Sequence, residues 1–127
     1  MSIKTTVPLL VVSDIAQSRD FYCDGLGFQV KNKWEDAGRL AWCWLKSGGA
    51  ELMLQQSCEE DPPPSQCGKG ITFYFICEDT DAIYRDLQSR GIEATEPSVT
   101  FYEMKQTFVV DPDGYALCFE NPTGEGA

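Results

Sequence analysis

The first half of the chain alternates short apolar runs with one segment of helical spacing. The run Val7–Val12 is rich in β-branched residues and is bounded by turn signals, which predicts a strand. Ser13 and Asp14 are typical N-cap residues, and the apolar residues behind them recur at helical spacing. Further strands are predicted from Phe28, over 40–45 and over 50–56, with a Gly-Gly turn before the last. The predicted order is therefore β-α-β-β-β.

The second half repeats this order. It begins with an apolar strand at Ile71–Cys77 and a helix that Asp79 caps. Strands are then predicted around 92–94, from 101–103 into 105–110, and over 115–120. The two halves superpose with an offset of 65 residues, which places Asp14 on Asp79 and Gly49 on Gly114. This pattern indicates an internal duplication.

The chain is therefore predicted to be one domain of two tandem modules. Its 127 residues match the size of a single domain, and the hydrophobic fraction of 43% is enough to form a core. Module 1 is predicted over 5–57 and module 2 over 70–122. The segment between them, 58–69, contains three consecutive prolines, which is typical of an irregular surface linker.

Charge and composition exclude several classes of function. The sequence has no histidine, so an imidazole metal site and a histidine base are both impossible. Twenty acidic against ten basic residues give a net charge of −10, and the basic residues form no patch for nucleic acid. Such a charge serves solubility, or it attracts cationic small molecules.

The sequence also predicts a cytoplasmic protein that does not contact a membrane. It shows no signal-peptide pattern, and no apolar run reaches the roughly 20 residues that a bilayer requires. None of the six cysteines has C-x-x-C spacing, and most lie in apolar stretches. We therefore expect reduced thiols.

Motifs in both halves resemble those of one known group of proteins. They are Val12-Ser13-Asp14-Ile15, Phe21-Tyr22 and Leu26-Gly27-Phe28 in the first half, and Gly91-Ile92 and 108–115 in the second. Their order and spacing resemble the vicinal oxygen chelate superfamily, which includes glyoxalase I, extradiol dioxygenases, fosfomycin-resistance enzymes and bleomycin-resistance proteins. The resemblance implies an α+β fold of two tandem βαβββ modules. Their curled mixed sheets would form a concave groove, with the helices on the convex side.

Enzymes of this superfamily hold a metal ion through His, Glu or Gln on the inner face of the first and last strands of each module. Carried over by position, these ligands fall on Val7, Met53, Thr72 and Cys118. Such side chains do not suit a hard divalent ion. A register slip of two residues would offer Glu51, Gln55 or Glu120, but the His positions would still lack a strong donor. We therefore expect no metal and no cofactor.

The remaining features resemble the metal-free, bleomycin-resistance-like branch. Its first strand resembles 7–14 here, and its fourth strand resembles 51–55. Proteins of that branch are acidic dimers that bind a large cationic glycopeptide in grooves, without chemistry. The resemblance implies a homodimer that binds a small organic molecule, cationic or aromatic, as in antibiotic sequestration and resistance.

The candidate ligand-binding residues supply aromatic surface, carboxylates or positions on the inner sheet face. Trp42 and Trp44 share one face of a strand, where core packing is the alternative role. Trp34 is expected in an exposed charged hairpin. The candidates are Trp34, Trp42, Trp44, Glu51, Met53, Gln55, Thr72, Phe101, Tyr102, Glu103, Cys118 and Glu120.

Two enzymatic alternatives remain open, although no catalytic residue is assigned. One is a metal-dependent lyase or dioxygenase that uses Glu51 and Glu120. The other is a metal-free isomerase or epimerase with a glutamate base. Cys118 is a poor candidate nucleophile, because no histidine is present to lower its pKa and the nearest charges are acidic.

Overall fold

The computed structural model describes residues 1–62 and 66–124. Residues 63–65 of the predicted linker lie outside the described residues. The chain divides into two compact units, Met1–Ser65 and Gln66–Ala127. Each unit contains one four-stranded sheet.

Unit 1 has the predicted β-α-β-β-β order. Its elements are β1 (Leu9–Val12), α1 (Ile15–Asp20), β2 (Gln29–Asp36), β3 (Arg39–Ser47) and β4 (Ala50–Gln56). A π-helical turn at Phe21–Gly25 continues α1. The sheet order is β1-β4-β3-β2, with β1 parallel to β4 and the other pairs antiparallel.

Unit 2 repeats this topology. Its elements are β5 (Thr72–Ile76), α2 (Thr80–Ser89), β6 (Ser98–Val99), β7 (Met104–Val110) and β8 (Ala116–Pro122). The sheet order is β5-β8-β7-β6, with β5 parallel to β8. The predicted α+β fold of two tandem modules is confirmed.

Two strand predictions in unit 2 are wrong. Residues 92–94 form no strand, and the neighbouring Thr95 bonds to β7, where its N–H donates to the Phe108 carbonyl at 3.0 Å. Pro97 follows two residues later and has no N–H to extend such a ladder. Residues 101–103 form a turn, because Glu103 has a φ of 62°, which a strand does not allow.

The same capping hydrogen bond begins both helices. Asp14 and Asp79 have almost identical extended backbones, with φ values of −141° and −146°. Each carboxylate accepts from the backbone N–H three residues later, at 3.2 and 3.1 Å. Both predicted N-caps are therefore observed.

A second repeated hydrogen bond connects the helix of each unit to the strand that comes last in the sequence of that unit, β4 or β8. Gln56 Oε1 accepts from the Ile15 N–H at 2.9 Å, and Asn121 Oδ1 accepts from the Thr80 N–H at 2.8 Å. Both pairs obey the offset of 65 residues. These side chains satisfy backbone donors that the first helical turn leaves unpaired, and they fix the helix start against the sheet.

The π-helical turn makes the first module one residue longer than the second at this point. After α1, the Phe28 N–H donates to the carbonyl of Tyr22, six positions earlier. After α2, the Ile92 N–H donates to the carbonyl of Leu87, five positions earlier. Tyr22 and Leu87 are both buried and match at the offset of 65 residues. The wider π-helical turn accommodates the additional residue of the first module.

One face of each sheet is the core face. In unit 1 it is formed by Leu10, Val12, Cys43, Leu45, Leu52 and Leu54, all buried. In unit 2 it includes Thr107, Val109, Leu117 and Phe119, also buried. Apolar side chains of α1 and α2 are buried too, which places one helix against each core face.

None of the six cysteines, all of which lie among the described residues, forms a disulfide. None of the helices among the described residues is long and apolar enough to cross a membrane.

Gly68 and Gly70 allow a matched test of packing in unit 2. Both have positive φ, 71° and 81°, but a Cβ on Gly68 would lie 2.5 Å from Tyr115 Cδ1, whereas a Cβ on Gly70 would meet no atom within 4 Å. We expect Gly70→Ala to lower the free energy of unfolding by about 1 kcal/mol, through backbone strain alone. Gly68→Ala should cost a further ~1–3 kcal/mol, because the buried ring must shift. Urea unfolding measures both, and equal losses would contradict the packing argument.

Candidate functional site

The face of each sheet that points away from its helix is called here the open face. On open face 1, strand register aligns Leu9, Met53, Trp44 and Asn32 in one row. The neighbouring row is formed by Val11, Gln55, Trp42 and Trp34. Five of the candidate residues therefore share this face with Glu51, which pairs with Lys46.

The three tryptophans make open face 1 strongly aromatic. Trp34 stands in β2 opposite Trp42, so it lies in the exposed charged hairpin as expected, but in its strand and not in its loop. The hairpin turn lies further on, at Ala37 and Gly38, which both have positive φ as a two-residue turn requires. Trp42 and Trp44 pack edge to face, with ring centroids 6.5 Å apart. Trp34 is 59% exposed and offers a free ring surface.

The carboxylate of Glu51 on open face 1 is paired with a lysine of the same chain. A β-bulge lies between Val30 and Asn32, at Lys31. Lys31 Nζ lies 2.9 Å from Glu51 Oε1 and 4.3 Å from the centroid of the Trp44 ring. The hydrogen bond from Lys31 lowers the pKa of Glu51. Glu51 therefore already holds a cation.

The buried indole N–H of Trp44 interacts with the same carboxylate. Its Nε1 has no partner with full hydrogen-bond geometry among the described residues. A weak hydrogen bond from the Trp44 side chain nevertheless helps to lower the pKa of Glu51. The Glu51 carboxylate therefore serves as the acceptor that a buried indole N–H ordinarily requires.

Open face 2 carries a different set of side chains. Register aligns Tyr74, Cys118 and Phe108 in one row, and Ile76, Glu120 and Gln106 in the next. Thr72 lies beside Ala116 on the same face. The candidates Thr72, Cys118 and Glu120 therefore share one surface with Tyr74 and Gln106.

Glu120 is a buried carboxylate without a cation. It is 8% exposed, and its Oε1 accepts from Gln106 Nε2 at 2.9 Å. No lysine or arginine among the described residues forms an ion pair with it. Gln106 Nε2 also donates to the hydroxyl oxygen of Tyr102 at 3.0 Å. The arrangement is a carboxylate, an amide and a phenol in one hydrogen-bonded cluster.

Two neighbours of Glu120 show the electrostatic effect of this cluster. Burial raises the pKa of the Tyr74 hydroxyl, and nearby Cys118, Tyr102 and Glu120 raise it further. Burial, and then Glu120 and Cys77, raise the pKa of the Cys118 thiol to about 11. Cys118 is therefore a neutral thiol at physiological pH, which does not suit a nucleophile.

The side chains at the superfamily's metal positions do not fit a metal ion. Val7 has no donor atom, Met53 offers a thioether, and Cys118 is a buried neutral thiol. Thr72 offers a single exposed hydroxyl. Among residues 1–62 and 66–124, no three Cys, Asp or Glu side chains cluster closely enough to hold a metal. The donor chemistry thus gives a hard cation no site here.

The turn at 101–103 is held by hydrogen bonds on both sides. The Glu103 carbonyl accepts from the N–H and Oγ1 of Thr123, at 2.9 and 3.0 Å. The Glu103 N–H donates to the Thr100 carbonyl at 3.0 Å. Phe101 is 98% exposed and packs edge to face on Tyr102, with centroids 5.0 Å apart. Of the three candidates in this turn, Tyr102 is the one that joins the Glu120 cluster.

Sequence reasoning missed Lys31, Tyr74 and Gln106. The alternation of side chains that placed Thr72 on the inner face would also have placed Tyr74 there. The pairing of Gln106 with Glu120 requires the register of β7 on β8. The bulge at Lys31 has no local sequence signal.

The Lys31–Glu51 contact predicts a shifted titration. We expect Lys31→Met to raise the pKa of Glu51 toward its ordinary value, because the mutation removes the donor that stabilises the carboxylate. Carbon-detected NMR titration of the side-chain carboxyls measures this change. Lys33→Met is the matched control, since Lys33 pairs with Glu35, and it should leave Glu51 unchanged. An unchanged Glu51 titration in Lys31→Met would contradict the contact.

Comparison with known proteins gives consistent results. The family model described as the glyoxalase/bleomycin resistance protein/dioxygenase superfamily matches residues 3–119. The uncharacterized protein YaeR of Escherichia coli K12 is 29% identical over 114 residues, which are 85% of this chain and 88% of that protein.

Two solved structures have the same fold. TnmS3, an antibiotic binding protein from Streptomyces sp. CB03234, is 25% identical with a TM-score of 0.75, covering 97% of this chain and 99% of its own. SMU.1112c is 28% identical with a TM-score of 0.75, covering 94% of this chain and 99% of its own. From the duplicated βαβββ topology and these matches, the chain belongs to the glyoxalase/bleomycin resistance protein/dioxygenase superfamily.

Proposed function

We propose that this protein binds a small cationic organic molecule non-covalently and without a metal, as in antibiotic sequestration. The observation that carries the proposal is the carboxylate of Glu120, which is buried on open face 2 without a cationic partner among the described residues. A buried carboxylate is costly unless it is paired, and a single amide donor compensates only in part. A cationic ligand would supply the missing charge.

The surroundings of Glu120 suit an organic cation. The Tyr102 hydroxyl is bonded to Gln106 within the cluster, and Tyr74 is near enough that Tyr102 and Glu120 help to raise the pKa of its hydroxyl. Aromatic rings beside a carboxylate attract alkylammonium and guanidinium groups through their π-faces as well as through charge. The partly desolvated position strengthens both attractions.

Open face 1, considered by itself, suits a flat aromatic group rather than a cation. Glu51 is neutralised by Lys31, whereas the Trp34 ring is 59% exposed and is available for stacking. Flat aromatic groups stack on such a ring at low entropic cost.

Three further observations support non-covalent binding of a cation. The side chains at the superfamily's metal positions do not fit a metal ion. A mechanism in which a metal ion polarises a substrate oxygen therefore lacks its ligands at these positions. TnmS3, which has the same fold and 25% identity, is an antibiotic binding protein. The net charge of −10 would also accelerate encounter with a cation.

Calorimetric titration with bleomycin and a panel of cationic aromatic drugs tests the proposal. We expect at least one of them to bind, and we expect Glu120→Gln to weaken that binding by about 10-fold or more, since a hydrogen bond to a charged group is lost. Glu59→Gln is the matched control, because Glu59 is exposed and the substitution removes the same charge. Its affinity should equal that of the wild type.

Two outcomes would refute the proposal. One is the failure of every cationic compound to bind the wild-type protein. The other is an equal loss of affinity in both variants, which would show that only the overall charge matters.

A further inference from the structure

Gln106 sets the hydrogen-bonding character of open face 2. It is only 5% exposed, and its Nε2 donates one hydrogen to Glu120 Oε1 and the other to the Tyr102 hydroxyl. An ionised carboxylate only accepts, so the amide atom beside Glu120 must be the nitrogen. Both amide hydrogens are thus used, and the orientation of Gln106 is fixed.

This orientation decides what Tyr102 and Glu120 offer to a ligand. The Tyr102 oxygen accepts from Gln106, which leaves the hydroxyl hydrogen to donate elsewhere. No acceptor for that hydrogen lies among the described residues, and Glu120 Oε2 has no donor there. The cluster therefore presents one anionic acceptor and one neutral donor side by side. Two bonds from one amide nitrogen place the two oxygens about 5 Å apart.

The backbone holds Tyr102 in this position. The hydrogen bonds from Thr123 to the Glu103 carbonyl close the turn on one side. On the other side, the Met104 N–H donates to Thr100 Oγ1 at 3.1 Å. A donor fixed before binding loses little entropy when the ligand arrives.

We propose that the Glu120–Gln106–Tyr102 cluster recognises a protonated amine that carries a hydroxyl or carbonyl oxygen on the adjacent carbon. The ammonium donates to Glu120, and the neighbouring oxygen accepts from the Tyr102 hydroxyl. Gln106 is a positioning residue that orients both groups. This inference rests on the proposed binding of an organic cation and narrows its chemistry.

Open face 1 shows the first half of this recognition within the chain itself. There the Lys31 ammonium sits against the Glu51 carboxylate and over the Trp44 ring. The position of Glu120 corresponds to Gln55 at the offset of 65 residues, so open face 1 has no carboxylate at that place. The vicinal amine and oxygen pattern is therefore specific to unit 2.

Two small probes test the inference, trans-2-aminocyclohexanol and cyclohexylamine. They share the ring and the ammonium but differ in the hydroxyl. We expect the amino alcohol to bind the wild-type protein about 3- to 10-fold more tightly, which is the effect of one additional neutral hydrogen bond. Dissociation constants come from titrations followed by nitrogen–proton correlation NMR.

Three variants assign the contacts. Tyr102→Phe should abolish the preference for the amino alcohol, because it removes the hydroxyl that would donate to the ligand oxygen. Glu120→Gln should weaken the binding of both probes. Tyr84→Phe is the matched control, because Tyr84 lies on α2 with its hydroxyl bonded to Gln88, and it should behave as the wild type. Thermal unfolding of each variant verifies that the fold is retained.

The outcomes separate this inference from the proposed function. Equal binding of the two probes by the wild type, or a preference that survives in Tyr102→Phe, overturns the vicinal pattern even if drug binding depends on Glu120. Failure of both probes to bind overturns it as well, whereas the titrations with bleomycin and cationic drugs judge the proposed function separately.

Discussion

The structure depends on the attachment of one helix to one face of each four-stranded sheet. A side-chain oxygen at the end of the last strand, Gln56 in unit 1 and Asn121 in unit 2, accepts from the first N–H of the helix. The helix is thereby fixed against the core face, and only that face receives its apolar side chains. Because side chains alternate along a strand, the remaining residues are committed to the open face.

The chemistry of the two open faces differs although their topology is the same. Open face 1 combines three tryptophans with an acidic group that Lys31 neutralises. Open face 2 combines tyrosines with Glu120, whose partner is a neutral amide. The duplication thus preserved the scaffold, including its caps and helix attachments, whereas the residues on the open faces diverged. This separation is expected where the fold supports the site but does not determine it.

Much of the fold was predictable because its signals are local. The N-caps Asp14 and Asp79, the glycine turns and the alternation in β4 and β8 all act within a few residues. The two wrong strand predictions concern apolar segments that do not pair with a neighbouring strand. Residues 92–94 look like a strand but lie before Pro97, and the turn at 101–103 depends on the positive φ of Glu103. The charged residues around Trp34 conceal a strand, because β2 extends through them as far as Asp36.

The sequence by itself determined the duplicated topology and the absence of histidine from every metal position. The family resemblance, together with the alternation of side chains along a strand, predicted one shared face for Thr72 and Cys118, and the register of β5 on β8 agrees. Only the tertiary structure decided which of the two carboxylates, Glu51 or Glu120, lacks a cationic partner. Glu51 is held by Lys31 through a bulge, and Glu120 is held by Gln106 through the register of β7 on β8. The reason is physical: alternation along one strand is a local property, whereas the partner of a side chain depends on the register between strands.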